Sequence, residues 1–190
     1  MRPASASVRA IRERIPPGLR HDGRMTLLYL VRHGETEWSR SGRHTSVTDL
    51  ALTDNGVAQA ESLRARLDPY EFDLVLASPR LRAQRTAQLA GFPDFEVEED
   101  LAEWYYGDYE GLTSAEIREV HPGWRVGFNG CPGGESADEV RARLARVVAR
   151  VRASGVDKAI CFGHGHASRV LALAWLDFPI MFGQSFTLEV

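Results

Sequence analysis

Two histidines and three arginines stand at or just beyond the ends of short apolar stretches of the chain. The stretches and the residues that follow them are 26–31 with Arg32 and His33, 73–77 with Arg80 and Arg82, and 158–162 with His164. An imidazole can attack as a nucleophile or carry a proton near pH 7, and a guanidinium pairs with anionic oxygens. These residue types could therefore bind an anion and place a reactive group beside it.

The three apolar stretches are short enough to be buried strands, and the segments between them have the apolar spacing of helices. Segments with that spacing or with a helix start signal follow Thr53, span 80–90, begin at the T-x-x-E box of Thr113 and Glu116, and span 135–154 and 167–176. Strands that alternate with helices predict an α/β fold, a three-layer α/β/α sandwich around a mainly parallel sheet. Ligands of such sheets bind beyond the carboxyl ends of the strands, where the histidines and arginines lie.

Composition narrows the class of protein. The 190 residues suit one domain, and a net charge of −3 gives no general reason to expect a nucleic-acid partner. The two cysteines are too few for a disulfide scaffold or a zinc cluster, and the longest apolar run is far shorter than the ~20 residues of a membrane span. We expect a cytoplasmic protein with no membrane or nucleic-acid partner.

Residues 1–24 differ from the rest of the chain. They hold six of the arginines, several prolines and glycines, and no apolar periodicity, which predicts a disordered leader. Residues 25–190 are expected to form the domain, and they carry 17 basic against 24 acidic residues. An acidic body of this kind needs a local cluster of cations to bind an anion. Residues 186–190 read as the start of an alternating strand.

Five segments together resemble the histidine phosphatase superfamily, the phosphoglycerate-mutase-like enzymes. In chain order the segments are Leu30-Val31-Arg32-His33-Gly34-Glu35-Thr36, Ser78-Pro79-Arg80-Leu81-Arg82-Ala83, Leu101-Ala102-Glu103 with Gly107 to Leu112, Gly133-Gly134-Glu135-Ser136, and Gly163-His164-Gly165. The arginine-histidine-glycine triplet alone would be weak evidence, but five segments in the family's order are specific. The resemblance runs from about residue 26 to the end of the chain. It implies that the chain ends before the last strand of the family.

The resemblance implies a role for each residue of the motifs. His33 would be the nucleophile, Arg32 and Arg82 phosphate ligands, and His164 the second histidine, expected to be protonated. Glu103 would donate a proton to the leaving oxygen and later take one from water. Further substrate contacts are expected from Ser39, Thr45, Ser46, Gly165 and His166. Neither a metal ion nor an organic cofactor is expected, and whether Arg80 binds a second phosphate stays open.

Three functions compete under this resemblance: a phosphatase, a phosphoglycerate mutase and a non-catalytic module that binds phosphorylated ligands. Mutases of the family carry an insertion after the acid and a later pair of adjacent arginines, and this chain has neither. The segments resemble most closely the bacterial acid phosphatases and sedoheptulose-bisphosphatases, although Ser46 replaces their usual glycine. The expected partner is a small phosphorylated substrate that the sequence does not name, and a homodimer is a possible assembly.

Overall fold

The computed structural model describes residues 8–10 and 26–179. Its five-stranded sheet is built from β1 (Val8–Ala10), β2 (Leu27–Arg32), β3 (Leu74–Ala77), β4 (Glu96–Val97) and β5 (Lys158–Gly163). The strands lie in the order β1-β2-β5-β3-β4. All neighbouring pairs run parallel except β1 and β2, which are antiparallel. The mainly parallel sheet predicted from the sequence is confirmed.

Helices cover both faces of this sheet. They are α1 (Glu37–Ser41), α2 (Asp54–Leu67), α3 (Leu81–Leu89), α4 (Ser114–Val120), α5 (Val126–Asn129), α6 (Ala137–Ala153) and α7 (Gly165–Trp175). Along the strands, side chains alternate between two separate apolar clusters. One cluster joins Leu28, Leu76 and Cys161 to α6 and α7, and the other joins Val31, Ala77 and Phe162 to α2 and α3. The three-layer α/β/α sandwich is therefore confirmed.

Helix starts follow the capping signals in the sequence. Thr53 caps α2 by accepting a hydrogen bond from Gly56 N, and Thr113 with Glu116 forms a reciprocal capping box at α4. Ser136 and Glu139 form a second such box, which starts α6 two residues later than Glu135. Within residues 8–10 and 26–179, no helix combines the length and the apolar character needed to cross a membrane.

The amino-terminal segment departs from expectation at three residues. Val8–Ala10 were expected to belong to a disordered leader, but their backbone pairs with Tyr29, Leu30 and Val31 at the edge of the sheet. Antiparallel backbone pairing needs no apolar face, which is why side-chain periodicity gave no sign of it. The rest of 1–24, and the strand expected at 186–190, lie outside the described residues, so the proposed domain boundary stays a prediction.

Two glycines allow the loop after β2 to touch the start of α2. A Cβ at Gly34 would overlap the carbonyl oxygen of Gly56, and a Cβ at Gly56 would overlap the carbonyl oxygen of Glu35. Gly34 N also donates to Thr86 Oγ1 at 3.0 Å, which ties the loop to α3. This close approach fixes the backbone that carries His33.

Replacing Gly56 with alanine tests that approach. Alanine is the better helix former by about 1 kcal/mol, yet its Cβ must displace the loop, so we expect Gly56→Ala to destabilise the fold by about 1–3 kcal/mol and to lower turnover. The exposed Asn55→Ala, in the same helical turn, is the matched control and should be neutral or stabilising. Denaturant unfolding and activity measure both effects. A Gly56→Ala protein that is more stable and fully active would contradict the role of this contact.

Candidate active site

His33 lies just past β2, with its position fixed by backbone hydrogen bonds. Its N–H donates to Gly163 O at 3.0 Å, at the end of the neighbouring strand β5. Its ring Nδ1 donates to the carbonyl of Gly34 at 2.7 Å. Because a carbonyl can only accept, the proton of the neutral ring is on Nδ1, and Nε2 keeps its lone pair. The ring is therefore held with its Nε2 lone pair unprotonated.

The surroundings keep this ring neutral. Burial lowers the pKa of His33 well below its usual value, the charges of Arg32 and Arg82 lower it further, and the hydrogen bond to Gly34 opposes the change. His33 is 8% exposed. A neutral imidazole between two guanidinium groups can approach a phosphate dianion without charge repulsion.

His164 stands immediately before α7, and its ring centroid lies 5.2 Å from that of His33. Its Nε2 is 2.7 Å from Ser78 Oγ, which also accepts a hydrogen bond from Arg80 N. We assign the Ser78 hydroxyl as the donor to Nε2, which leaves the proton of the His164 ring on Nδ1. That Nδ1 is buried and has no partner among the described residues. It is a donor available to a phosphoryl oxygen.

The expectation of a protonated His164 is not supported for the free protein. Burial lowers its pKa well below the usual value, and Arg82, His33, Arg32 and Arg80 add to the effect. The neutral ring still donates a hydrogen bond from Nδ1. A bound dianion would offset these charges and favour protonation of His164.

Arg82 is fully buried on α3 and organises the loop that follows α1. Its two terminal nitrogens donate to the carbonyls of Thr45, Ser46 and Thr48 at 3.0–3.2 Å. Its Nε is buried without a partner in the described part of the chain. Neutral carbonyls hold this guanidinium without cancelling its charge, which remains available to an anion.

Glu110 supports the same loop from the other side, and sequence reasoning missed it. Its carboxylate accepts hydrogen bonds from Ser46 N, Ser46 Oγ and Thr48 N. Burial raises the pKa of Glu110, but these hydrogen bonds outweigh it and the net shift is downward. The ionised carboxylate thus fixes the carbonyls that hold Arg82.

Glu103 lies in the chain between β4 and α4 and is 8% exposed. Its Oε1 accepts from Trp104 N at 2.9 Å and Ala167 N at 2.8 Å, and its Oε2 accepts from His166 N at 3.1 Å. A carboxyl group has about four acceptor positions, so the position left open is on Oε2, where a transferable proton can sit.

Arg32 and Gly165 adjoin that oxygen. A Cβ at Gly165 would lie 3.6 Å from Arg32 Nε and 3.9 Å from Glu103 Oε2. Arg32 is exposed and makes no hydrogen bond or ion pair within the described ranges. The structure therefore brings His33, His164, Arg32, Arg82 and Glu103 to one rim of the sheet, as the sequence predicted.

The expected substrate contacts in the loop have other partners. Ser39 Oγ exchanges hydrogen bonds with the backbone of Thr36 and caps α1. Ser46 Oγ donates to Glu110, and Thr45 Oγ1 donates to Arg43 O at 3.3 Å. These bonds do not support direct substrate binding by the three hydroxyls, whose visible role is to shape the loop.

His166 lies between Glu103 and a second cavity. Its backbone N–H binds Glu103, and its ring Nδ1 is 2.7 Å from the hydroxyl of Tyr106. Burial lowers the pKa of His166 to about 4, so the ring is neutral, while burial raises the pKa of Tyr106. The phenol therefore donates to the imidazole.

Beyond His166 and His44 lies a cavity of about 360 Å³ that sequence reasoning missed. Arg118, Arg125 and Arg169 line it, together with the rings of Trp104 and Trp124. None of the three arginines forms an ion pair with a described residue, and Arg169 Nε is buried without a partner there. Arg80 Nε is likewise buried and unpartnered, but Arg80 does not line this cavity. The arginine cavity combines positive charge with aromatic walls.

Comparison of the sequence with known proteins identifies the family. Residues 28–190 match the family model of the histidine phosphatase superfamily (branch 1). The chain is 44% identical to an acid phosphatase of Mycobacterium tuberculosis, over 85% of this chain and 81% of that protein. It is 36% identical to sedoheptulose 1,7-bisphosphatase of Saccharomyces cerevisiae, over 80% of this chain and 68% of that protein.

A solved structure gives the same result. The product of an open reading frame of Mycobacterium tuberculosis superposes with a TM-score of 0.81 at 44% identity, over 86% of each chain. The chain belongs to the histidine phosphatase superfamily, branch 1, as the resemblance of its five segments implied.

Proposed function

We propose that the protein is a phosphatase that transfers the phosphoryl group of a small phosphorylated metabolite first to His33 and then to water. The observation that carries this proposal is the orientation of His33. Its Nδ1 proton is engaged by the Gly34 carbonyl, so Nε2 is free to attack. Around it stand the charge of Arg32 and two unpartnered donors, Arg82 Nε and His164 Nδ1. This is a site for a tetrahedral anion next to a nitrogen nucleophile.

The first step forms a bond between His33 Nε2 and phosphorus and breaks the bond from phosphorus to the leaving oxygen. The three equatorial oxygens take hydrogen bonds from Arg32, Arg82 and His164, and the guanidinium charges stabilise the transition state. Glu103, in its acid form, gives its Oε2 proton to the leaving alkoxide. The scheme uses two guanidinium groups where other phosphatases use metal ions.

The second step reverses these roles. The Glu103 carboxylate takes a proton from a water molecule as the oxygen attacks phosphorus, the bond to His33 breaks, and inorganic phosphate leaves. A mutase would instead return the phosphoryl group to a bound intermediate and exclude water. The similarity to an acid phosphatase and to a bisphosphatase supports the hydrolytic reaction, and phosphoglycerate mutase is the second candidate. A non-catalytic module would not need the complete set of reactive groups.

The substrate class follows from the arginine cavity. Arg118, Arg125 and Arg169 form no ion pair with a described carboxylate, and His44 and His166 line both this cavity and the active-site side. Because His166 N binds Glu103 Oε2 and His166 lines the cavity, a leaving group protonated by Glu103 would lie next to the cavity. We infer that the preferred substrates carry a second anionic group, as sugar bisphosphates and phosphorylated acids do. The similarity to a bisphosphatase supports this inference.

We also propose a cellular compartment for the enzyme. Cys131 and Cys161 are free and buried, and burial raises the pKa of each thiol to about 12, which makes both unreactive. Free thiols and phosphorylated metabolites both suit the cytoplasm, where we place the protein. A homodimer stays a prediction.

His33→Ala tests the covalent mechanism. The variant should lose nearly all turnover yet still bind inorganic phosphate through Arg32 and Arg82. Brief incubation of the unaltered protein with labelled substrate, followed by rapid quenching, should give a phosphoryl label that is labile in acid and stable in base. The exposed His121→Gln is the control and should label normally. A label on serine, or an active alanine variant, would refute the proposal.

Arg125→Gln tests the substrate class. Loss of one charged contact should lower kcat/KM about 10- to 100-fold for a sugar bisphosphate and change it little for a monophosphate of the same sugar. Arg85→Gln, an exposed arginine on α3 outside the cavity, should leave both values unchanged. Phosphate release from a substrate panel gives the measurement. Equal effects of Arg125→Gln on both substrates would show that the cavity does not bind the second group.

The pKa values of four histidines at and near the site predict how stability depends on pH. Burial lowers the pKa of His33, His44, His164 and His166, so below about pH 6.5 the unfolded chain binds protons that the folded chain does not. The free energy of unfolding should therefore fall on acidification, by up to about 1.4 kcal/mol per pH unit for each ring.

Urea unfolding between about pH 7.5 and 5.5 measures this slope above the range in which carboxylates titrate. His44→Gln should reduce the slope, whereas the exposed His121→Gln should not. A free energy of unfolding that stays constant across this range would show that the rings bind protons equally in the folded and the unfolded chain, which would contradict the lowered pKa values.

A further inference from the structure

An ion pair between buried Arg143 and half-buried Glu135 lies behind Glu103 and takes no part in the chemistry proposed above. Arg143 of α6 is 8% exposed and binds Glu135, which precedes the helix, through two hydrogen bonds. Nε donates to Oε1 at 2.7 Å and a terminal nitrogen donates to Oε2 at 2.9 Å. This two-pronged geometry restrains both side chains.

The remaining donors of Arg143 all bind the chain just before and at Glu103. One terminal nitrogen donates to Asp100 O at 2.7 Å and to Ala102 O at 2.8 Å, and the other to Glu103 O at 3.2 Å. One guanidinium therefore fixes three carbonyls within four residues, including that of the acid itself.

Glu135 fixes the chain on the other side of the acid. Its Oε2 accepts from Tyr105 N at 2.8 Å, its N–H donates to Tyr105 O at 2.9 Å, and its carbonyl accepts from Trp104 Nε1 at 2.9 Å. The pair thus binds the residues before and after Glu103 at once.

The acid-bearing segment has little hydrogen bonding of its own. Residues 102–106 are neither helix nor strand, so no ladder of backbone bonds sets their position. The Glu103 carboxylate must nonetheless meet the N–H groups of His166 and Ala167 at the start of α7. Only a contact from outside the segment can hold its backbone at that distance.

We propose that Arg143 and Glu135 are positioning residues for proton transfer, which place the carboxyl group of Glu103 against the leaving oxygen of the substrate. The proposal rests on the role of Glu103 in the proposed function. An ion pair that only stabilises the fold would, when altered, affect all substrates alike. A pair that positions the acid affects chiefly substrates whose leaving oxygen needs a proton.

The experiment compares an alkyl phosphomonoester with p-nitrophenyl phosphate, whose leaving group is stable without protonation. Arg143→Lys keeps the charge but cannot make the five bonds of the guanidinium. Its kcat/KM for the alkyl substrate should fall about 10- to 100-fold, since misplacement of a catalytic group by about 1 Å costs that much. With p-nitrophenyl phosphate the rate of His33 phosphorylation should change less than about threefold, because general acid catalysis contributes little there.

Arg146→Lys is the matched control. Arg146 lies on the same helix and binds the carboxylate of Asp100, but it contacts none of residues 102–105. The control should leave both substrates unaffected. If Arg143→Lys does not fold, as judged by circular dichroism and Tm, Glu135→Gln decides, because it keeps the side-chain shape while removing the charge that pairs with Arg143.

Glu103→Gln separates this proposal from the function on which it rests. It should show the same substrate dependence with a larger loss, about 10²- to 10⁴-fold, and adding Arg143→Lys should cost the alkyl substrate nothing further. If Glu103→Gln shows no substrate dependence, the assignment of the acid fails. Two other results overturn only the positioning role, with Glu103→Gln still dependent on the substrate. In one, Arg143→Lys slows both substrates equally; in the other, it adds to the loss in the double variant.

Discussion

The positive charge of Arg32 and Arg82, applied to two buried histidines, is the condition on which the rest of the site depends. Burial contributes most to the lowered pKa of both His33 and His164, and the charges of Arg32 and Arg82 lower it further. Neither arginine forms an ion pair with a carboxylate among the described residues. The free site is therefore cationic and holds neutral imidazoles. A phosphate dianion supplies the opposite charge, so binding and catalysis draw on the same electrostatic field.

The charge of Arg82 is not neutralised, because backbone carbonyls rather than carboxylates fix the side chains of the site. Arg82 is bound by three carbonyls, His33 by the carbonyls of Gly163 and Gly34, and the loop after β2 by the close approach of Gly34 and Gly56. Carbonyls satisfy the buried donors of a guanidinium at little cost to its net charge. The parallel sheet contributes by ending β2 and β5 side by side, in register from Leu27 to Arg32.

The parts predicted from the sequence were those encoded locally. Strand ends, helix caps and the motifs around His33, Arg82 and His164 each lie within a few neighbouring residues, so their spacing carries the information. Glu110 acts on Ser46 across 64 positions, and Ser78 meets His164 across 86. Such pairings depend on how the sheet brings distant loops together. The arginine cavity is similar, since its cations come from α4, α7 and the residue before α5 rather than from adjacent positions.

Almost all the basic residues of this chain are arginines, so the residue type alone does not separate their roles. The groups that each guanidinium contacts do. Arg143 meets a carboxylate and is nearly neutralised, so it can anchor backbone deep in the fold without attracting a ligand. Arg82 meets carbonyls and keeps its charge available to an anion. Arg125 and Arg169 meet neither within the described chain; Arg125 is exposed, and Arg169 is half-buried with its Nε buried and unpartnered, so both charges remain available to an anion. The two cationic regions lie on either side of His44 and His166, which burial keeps neutral. Under the proposed substrate class, a substrate with an anion at each end contacts both regions at once, whereas a monophosphate contacts only one of them.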